Sequence, residues 1–201
     1  FGVSTAKPMG LVEVDMQGKR MDLESPDNED PGQRQRSTEE WLRQMLAANG
    51  AIAFRHVPFG SPDELLQFSR CFGTDFVTVG ERGAQVQLYI SKGGARKRLP
   101  SDGWHSDNSY NTRPASVTVL YALETDGNAP TSTELCNTAL AHDTLSRELH
   151  GRLFDKAGRS ILAVHEAPTT GTSTVHPVVR EHSRTGRSAL YVSPVYTKQL
   201  L

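Results

Sequence analysis

His105 and Asp107, in the stretch Trp104-His105-Ser106-Asp107-Asn108-Ser109-Tyr110, put an imidazole and a carboxylate two residues apart. These are two of the three ligands of a two-histidine, one-carboxylate site, which holds ferrous iron on one face and leaves positions open for reactants. On an extended strand, residues i and i+2 share a face, so both side chains would reach one ion while Ser106 points away. The same residues also suit a surface turn in which Asp107 caps its neighbours. A His-x-Asp triplet recurs by chance, so its surroundings must decide between the two.

Those surroundings are patterned. From the triplet the chain runs through Arg113-Pro114 into an apolar alternation, with Val117, Val119 and Tyr121 on one face of an expected strand. A second block reads His176-Pro177-Val178-Val179-Arg180, then Thr185-Gly186-Arg187 and Ala189-Leu190-Tyr191-Val192. A third, Ala51-Ile52-Ala53-Phe54-Arg55 followed by Ser61-Pro62-Asp63-Glu64-Leu65-Leu66, lies upstream. In this order the blocks resemble the taurine dioxygenase / TfdA-like family of Fe(II)- and 2-oxoglutarate-dependent oxygenases, over roughly residues 35–200.

The resemblance implies a mostly β fold with flanking helices, a double-stranded β-helix of the jelly-roll, cupin-like kind. It implies Fe(II), 2-oxoglutarate as cosubstrate and O2, with decarboxylation of the oxo acid to succinate driving oxidation, usually hydroxylation, of a small organic substrate. His105 and Asp107 take the role of catalytic metal ligands, and Thr133 that of a hydroxyl bonding the oxo-acid carboxylate. Ser101, Asn108 and Tyr110 flank the ligands on the substrate side. The intact Asp107 argues for an oxygenase over a halogenase, in which a small residue replaces the carboxylate.

The chain departs from the family pattern in three places. Where Gly-Gly-Asp-Thr is usual, it reads Pro130-Thr131-Ser132-Thr133, which leaves Thr133 a second role at the start of the following helix. Ser101 stands where taurine-using members have Asn, which makes taurine doubtful as a substrate. The family's second metal His and its carboxylate-binding Arg belong to a C-terminal segment with no match before Leu201. The expectation is a single dioxygenase domain over residues 1–201 that lacks a lid segment, near the short join between His165 and His176, and the C-terminal strands. The alternative is a catalytically inactive, truncated homologue acting as a binding protein. His165 and His176 are not ligand positions in the family. His56, His142, His150 and His182 read as surface or satisfied structural histidines.

Composition bounds the partners. With 22 Lys and Arg against 23 Asp and Glu, the net charge of −1 gives no general reason to bind nucleic acid or an acidic membrane. A small-molecule substrate is expected, with homo-oligomerisation left open. The basic run Lys92, Arg96, Lys97 and Arg98 fits either a solvated loop or attraction of an anionic substrate. Cys71 and Cys136 match no metal or disulfide pattern, and no apolar run is long enough to span a bilayer, so a cytoplasmic protein is expected.

The elements that must position these residues follow from pattern. Residues 10–16 read as a strand and 24–36 as loop. Ser37-Thr38-Glu39-Glu40 opens a helix that Asn49-Gly50 closes. Residues 51–54 make a strand, and Ser61-Pro62 opens a helix running to Gly73. Further strands are expected at 86–91, 160–164 and 189–192, with a helix over 139–154.

Overall fold

The structure, a computed structural model, describes residues 11–15, 31–57, 59–76, 103–124 and 133–201. Its packing divides the chain into two units, Phe1–Val86 and Gln87–Leu201. The strand expected at 86–91 and the basic run at 92–98 lie outside the described residues.

In the first unit, strand β1 (Leu11–Asp15) pairs in parallel with β2 (Ala51–Arg55), Leu11 opposite Ala51 and Asp15 opposite Arg55. Parallel neighbours require a crossover, and helix α1 (Pro31–Asn49) lies on the one that joins them. This helix starts six residues before Ser37, so the expected capping box is not its start. Pro31 suits a first helical position, and the Gln and Arg residues after it are good helix formers. The two glutamates of the box serve the helix surface instead: Arg43 donates to Glu39 at 3.1 Å and Gln44 donates to Glu40 at 3.1 Å. Gly50 ends the helix at φ 82°, its N–H bonded to the Leu46 carbonyl at 2.7 Å. Leu42 is fully buried.

Helix α2 (Pro62–Ser69) keeps the expected start. Ser61 Oγ accepts from the Glu64 N–H at 3.3 Å, and Glu64 Oε2 accepts from the Gly60 N–H at 2.9 Å. It stops short of Gly73, because Arg70, Cys71 and Phe72 bond three residues back and tighten the chain into turns. Phe68 packs against Phe54, Phe59 and Phe72 with ring centroids 5.3–5.7 Å apart, joining α2 to β2.

The second unit carries the His-x-Asp segment. Strands β3 (Leu162–Glu166), β4 (Ser173–Pro177) and β7 (Thr197–Leu200) form an antiparallel sheet in the order β4-β3-β7, with a register shift between Val164 and His165. The join between His165 and His176 is a tight hairpin turn, with Ala167 N–H bonded to the Thr172 carbonyl and Gly171 at φ 68°. Strands β5 (Val179–Glu181) and β6 (Ser188–Leu190) form a second hairpin. Val178, between β4 and β5, is buried and ties the hairpins together: its N–H bonds the Ile161 carbonyl and its carbonyl accepts from Tyr191.

The helix expected over 139–154 is two helices, α3 (Thr138–Asp143) and α4 (Arg147–Gly151). Thr144 Oγ1 bonds back to the Leu140 carbonyl, and Ser146 starts the second helix by accepting from the Leu149 N–H. Arg187, just before β6, donates to Asp143 at 2.7 Å and, with His142, holds that carboxyl below its ordinary range. Residues 117–121 keep the expected alternation, with Val117, Val119 and Tyr121 half-buried and Thr118 and Leu120 exposed, but they have no strand partner among the described residues. Short strands outnumber helices among those residues, and no helix there is long and apolar enough to cross a membrane.

Candidate metal centre

His105 and Asp107 meet, though not on a strand. His105 and Ser106 have no regular structure, and residues 107–110 form a turn that opens with Ser109 N–H bonded to the Ser106 carbonyl at 3.3 Å. Asn108 sits at φ 55° and its carbonyl accepts from Asn111 at 2.9 Å. The run Ser106-Asp107-Asn108-Ser109 explains this, since short polar side chains favour turns and Asn tolerates the left-handed region. The expectation of a strand at the triplet is therefore corrected to a turn, and the turn brings the two side chains together.

Each is held from outside. His105 Nδ1 lies 2.7 Å from the Gly103 carbonyl, which can only accept, so Nδ1 carries a proton. Its other nitrogen, Nε2, lies 3.0 Å from Asp107 Oδ1. The second Asp107 oxygen, Oδ2, accepts from Thr118 Oγ1 at 2.6 Å. A lone pair on Nε2 facing a carboxylate oxygen at this distance is repulsive unless a cation, either a proton or a metal ion, lies between them. The side chains are 26% and 43% exposed, which leaves the gap reachable from solvent. Fixing Nδ1 on a backbone carbonyl is how a metal-binding imidazole is commonly oriented, so this donor pair fits a divalent cation.

Aromatic rings line one side. Tyr196 stands edge-on to His105 at 5.4 Å and to Tyr110 at 5.1 Å, and Tyr110 donates to Asn108 Oδ1 at 3.2 Å. Tyr196 is placed by a turn in which its N–H bonds Ser193 Oγ and the Thr197 N–H bonds the Ser193 carbonyl. A Cβ at Gly103 would come within 3.0 Å of Val195 Cγ2, so glycine lets this turn approach the loop that carries His105. Sequence reasoning missed Tyr196, because it lies almost ninety residues from the triplet outside any periodic pattern.

The other expected residues are spread out. Asn108 and Tyr110 adjoin the pair, and Ser101 lies outside the described residues. Thr133 is exposed, and the helix-starting role it was offered belongs to Asn137, whose Oδ1 accepts from the Leu140 N–H at 2.9 Å. Among the described residues, no group of three or more His, Cys, Asp and Glu could hold a metal ion together.

Two histidines read in the sequence as unassigned are buried behind the turn. His165 Nδ1 lies 3.1 Å from Ser109 Oγ, and His176 Nε2 donates to the Asn111 carbonyl at 2.9 Å. Burial, then the charge of nearby His176, pushes His165 below the ordinary histidine range. Tyr191's backbone, near the ring but outside hydrogen-bond geometry with Nε2, opposes this with less effect.

The family model described as "Taurine catabolism dioxygenase TauD, TfdA family" matches residues 16–200. The chain belongs to the TauD/TfdA family. Pentalenolactone F synthase of Streptomyces avermitilis is 28% identical to it over 197 aligned positions, covering 81% of this chain and 64% of that protein. The alpha-ketoglutarate-dependent sulfonate dioxygenase of Saccharomyces cerevisiae is 26% identical over 186, covering 80% of this chain and 44% of that one. A crystal structure of a taurine dioxygenase from Burkholderia xenovorans superposes with a TM-score of 0.59 at 23% identity, over 97% of this chain and 65% of the other. This TauD/TfdA chain thus shares that fold, and it spans less than two thirds of the length of these relatives.

Proposed function

We propose that the chain belongs to an Fe(II)- and 2-oxoglutarate-dependent dioxygenase that oxidises a small organic substrate, with His105 and Asp107 as two of its iron ligands. The observation that carries this reading is the pair itself: Nε2 and Oδ1 face each other at 3.0 Å while Gly103 and Thr118 hold the remaining polar atom of each group. Iron held by His105 and Asp107 would, together with 2-oxoglutarate and O2, supply the oxidising power. The protein's share is geometric. Gly103 sets the imidazole tautomer, Thr118 fixes the carboxylate rotamer, and Tyr196 holds the His105 ring plane from its edge.

Family membership across residues 16–200 supports a double-stranded β-helix core and a single dioxygenase domain running through both units. Thr133 is the proposed hydroxyl partner of 2-oxoglutarate, and Ser101, Asn108 and Tyr110 the substrate-facing residues. Two unpaired cysteines, Cys71 and Cys136, suit the reducing cytoplasm. An intact donor pair weighs against the inactive homologue.

Mn(II) binding followed by paramagnetic resonance, together with substrate-dependent succinate release, tests the reading. His105→Ala and Asp107→Ala should each abolish release and weaken Mn(II) binding. A His105→Ala protein with parental metal affinity and turnover would overturn it.

A further inference from the structure

We propose that His165 and His176 are positioning residues, a buried two-point clamp that fixes the turn carrying Asp107 and so sets where its carboxylate faces His105. The inference rests on the metal reading above for its consequence, but the clamp itself is a statement about this turn. On β3 and β4, Ala163 stands opposite His176, and His165 is two residues along from Ala163, so both imidazoles lie on one face of the sheet. Their rings are 5.5 Å apart, and the residues are 1% and 6% exposed. Ala163, opposite His176 and on the same face as His165, is fully buried, and its small side chain leaves room for both rings.

Aliphatic side chains would fill such positions without the cost of desolvating two imidazoles. What the imidazoles add is direction. His165 reaches Ser109, itself 1% exposed, and His176 reaches the carbonyl of Asn111, so the sheet grips the turn at two points just after Asp107. A carbonyl only accepts, which makes His176 Nε2 the donor. The Ser109 hydroxyl donates or accepts as His165 requires. The backbone bonds that close the turn are a long 3.3 Å bond from the Ser109 N–H to the Ser106 carbonyl and the bond from the Asn111 N–H to the Asn108 carbonyl. Tyr191 locks both clamp rings: it stacks on His165 at 5.3 Å, meets His176 edge-on at 5.4 Å, and carries the Arg180 guanidinium 4.5 Å from its own ring centre.

The geometry dictates unlike replacements at the two sites. An Asn amide occupies the position of Nδ1 and a Gln amide that of Nε2, so His165→Asn and His176→Gln should keep the grip, whereas His165→Gln and His176→Asn should lose it. The first measurement is hydrogen exchange in a peptide covering residues 103–113, without metal. The second is Mn(II) affinity. His165→Leu and His176→Leu, which fill the space without bonding, should exchange about 10-fold faster there and bind Mn(II) about 10-fold more weakly. The matched amides should stay within about twofold of the parent. Should a leucine variant fail to fold, the matched and crossed amides decide the matter alone. Folded leucine variants with parental exchange and affinity would overturn the clamp, as would crossed amides that perform as well as matched ones. If the parent's Mn(II) binding survives His105→Ala, the metal reading fails instead, and exchange of 103–113 still decides the clamp.

Discussion

Thr118 Oγ1 donates to Asp107 Oδ2 at 2.6 Å from eleven residues downstream. The bond commits one carboxylate oxygen and leaves the other, Oδ1, facing His105. Thr118→Val keeps the shape of the side chain and removes the donor, so the carboxylate should swing and Mn(II) affinity should fall about 10-fold. Thr118→Ser should restore it. An isothermal titration in which the valine variant matches the parent would show that Asp107 needs no such support.

Thr133 tests the cosubstrate side of the site. Thr133 is exposed and starts no helix, and its proposed role is to donate its hydroxyl to an oxo-acid carboxylate. Thr133→Val should weaken 2-oxoglutarate binding by about 1–2 kcal/mol, read as a raised KM for the oxo acid with little change in kcat. An unchanged KM would remove Thr133 from the site.

Substrate choice should follow Ser101, Asn108 and Tyr110. With Ser101 in the proposed substrate-facing place, its side chain would be too short to copy an amide contact, and loss of one buried hydrogen bond costs about 1.5–3 kcal/mol in discrimination. Taurine should therefore be a poor substrate. Succinate release across sulfonates, aryloxyacetates and amino-acid-derived acids checks this, and fast, coupled taurine turnover would contradict it.

Stability should fall on mild acidification. Burial, with His176 and Arg180 nearby, depresses the His165 pKa in the folded state, while the unfolded chain titrates near the ordinary value of about 6.5. Above that value both states are neutral and His165 adds no pH dependence. Below it the unfolded chain binds a proton that the folded state refuses, so stability declines until the folded pKa is passed. Asp143, depressed by Arg187 and His142, adds a separate loss only at carboxylate pH. Urea midpoints measured from about pH 7.5 down to 5 should decrease in the parent and flatten in His165→Asn. A parental midpoint that holds steady would mean that His165 accepts its proton without strain.

Local chemistry was the legible part of the chain. The spacing of His105 and Asp107 marked the pair, and three ordered blocks marked the family. What pattern could not supply was the conformation between them, because Ser106, Asp107 and Asn108 suit a turn as well as the end of a strand. Helix α1 ran past its apparent capping box, since Glu39 and Glu40 can serve either a cap or i,i+4 pairs. The break at Ser146 was readable as a helix start but hidden by the apolar periodicity across it. The burial of His165 and His176 was invisible in a different way: a histidine looks the same in sequence whether it meets water or a sheet, and only the register of β3 against β4 places them together.

Asn108 carries two duties that pull against each other during evolution. Its backbone bends the chain at φ 55°, a conformation open at low cost to Gly, Asn and Asp, while its side chain accepts from Tyr110 beside His105 and Asp107. A lineage exploring new substrates cannot place a bulky or β-branched group there without bending cost, so its accessible alphabet at this wall is nearly closed. Diversity should instead accumulate at Tyr110 and Tyr196, where no such backbone constraint applies. A saturation library at position 108 would be mostly wasted clones, and one spread over 110 and 196 would vary the aromatic side chains beside His105 while keeping the backbone bend at Asn108.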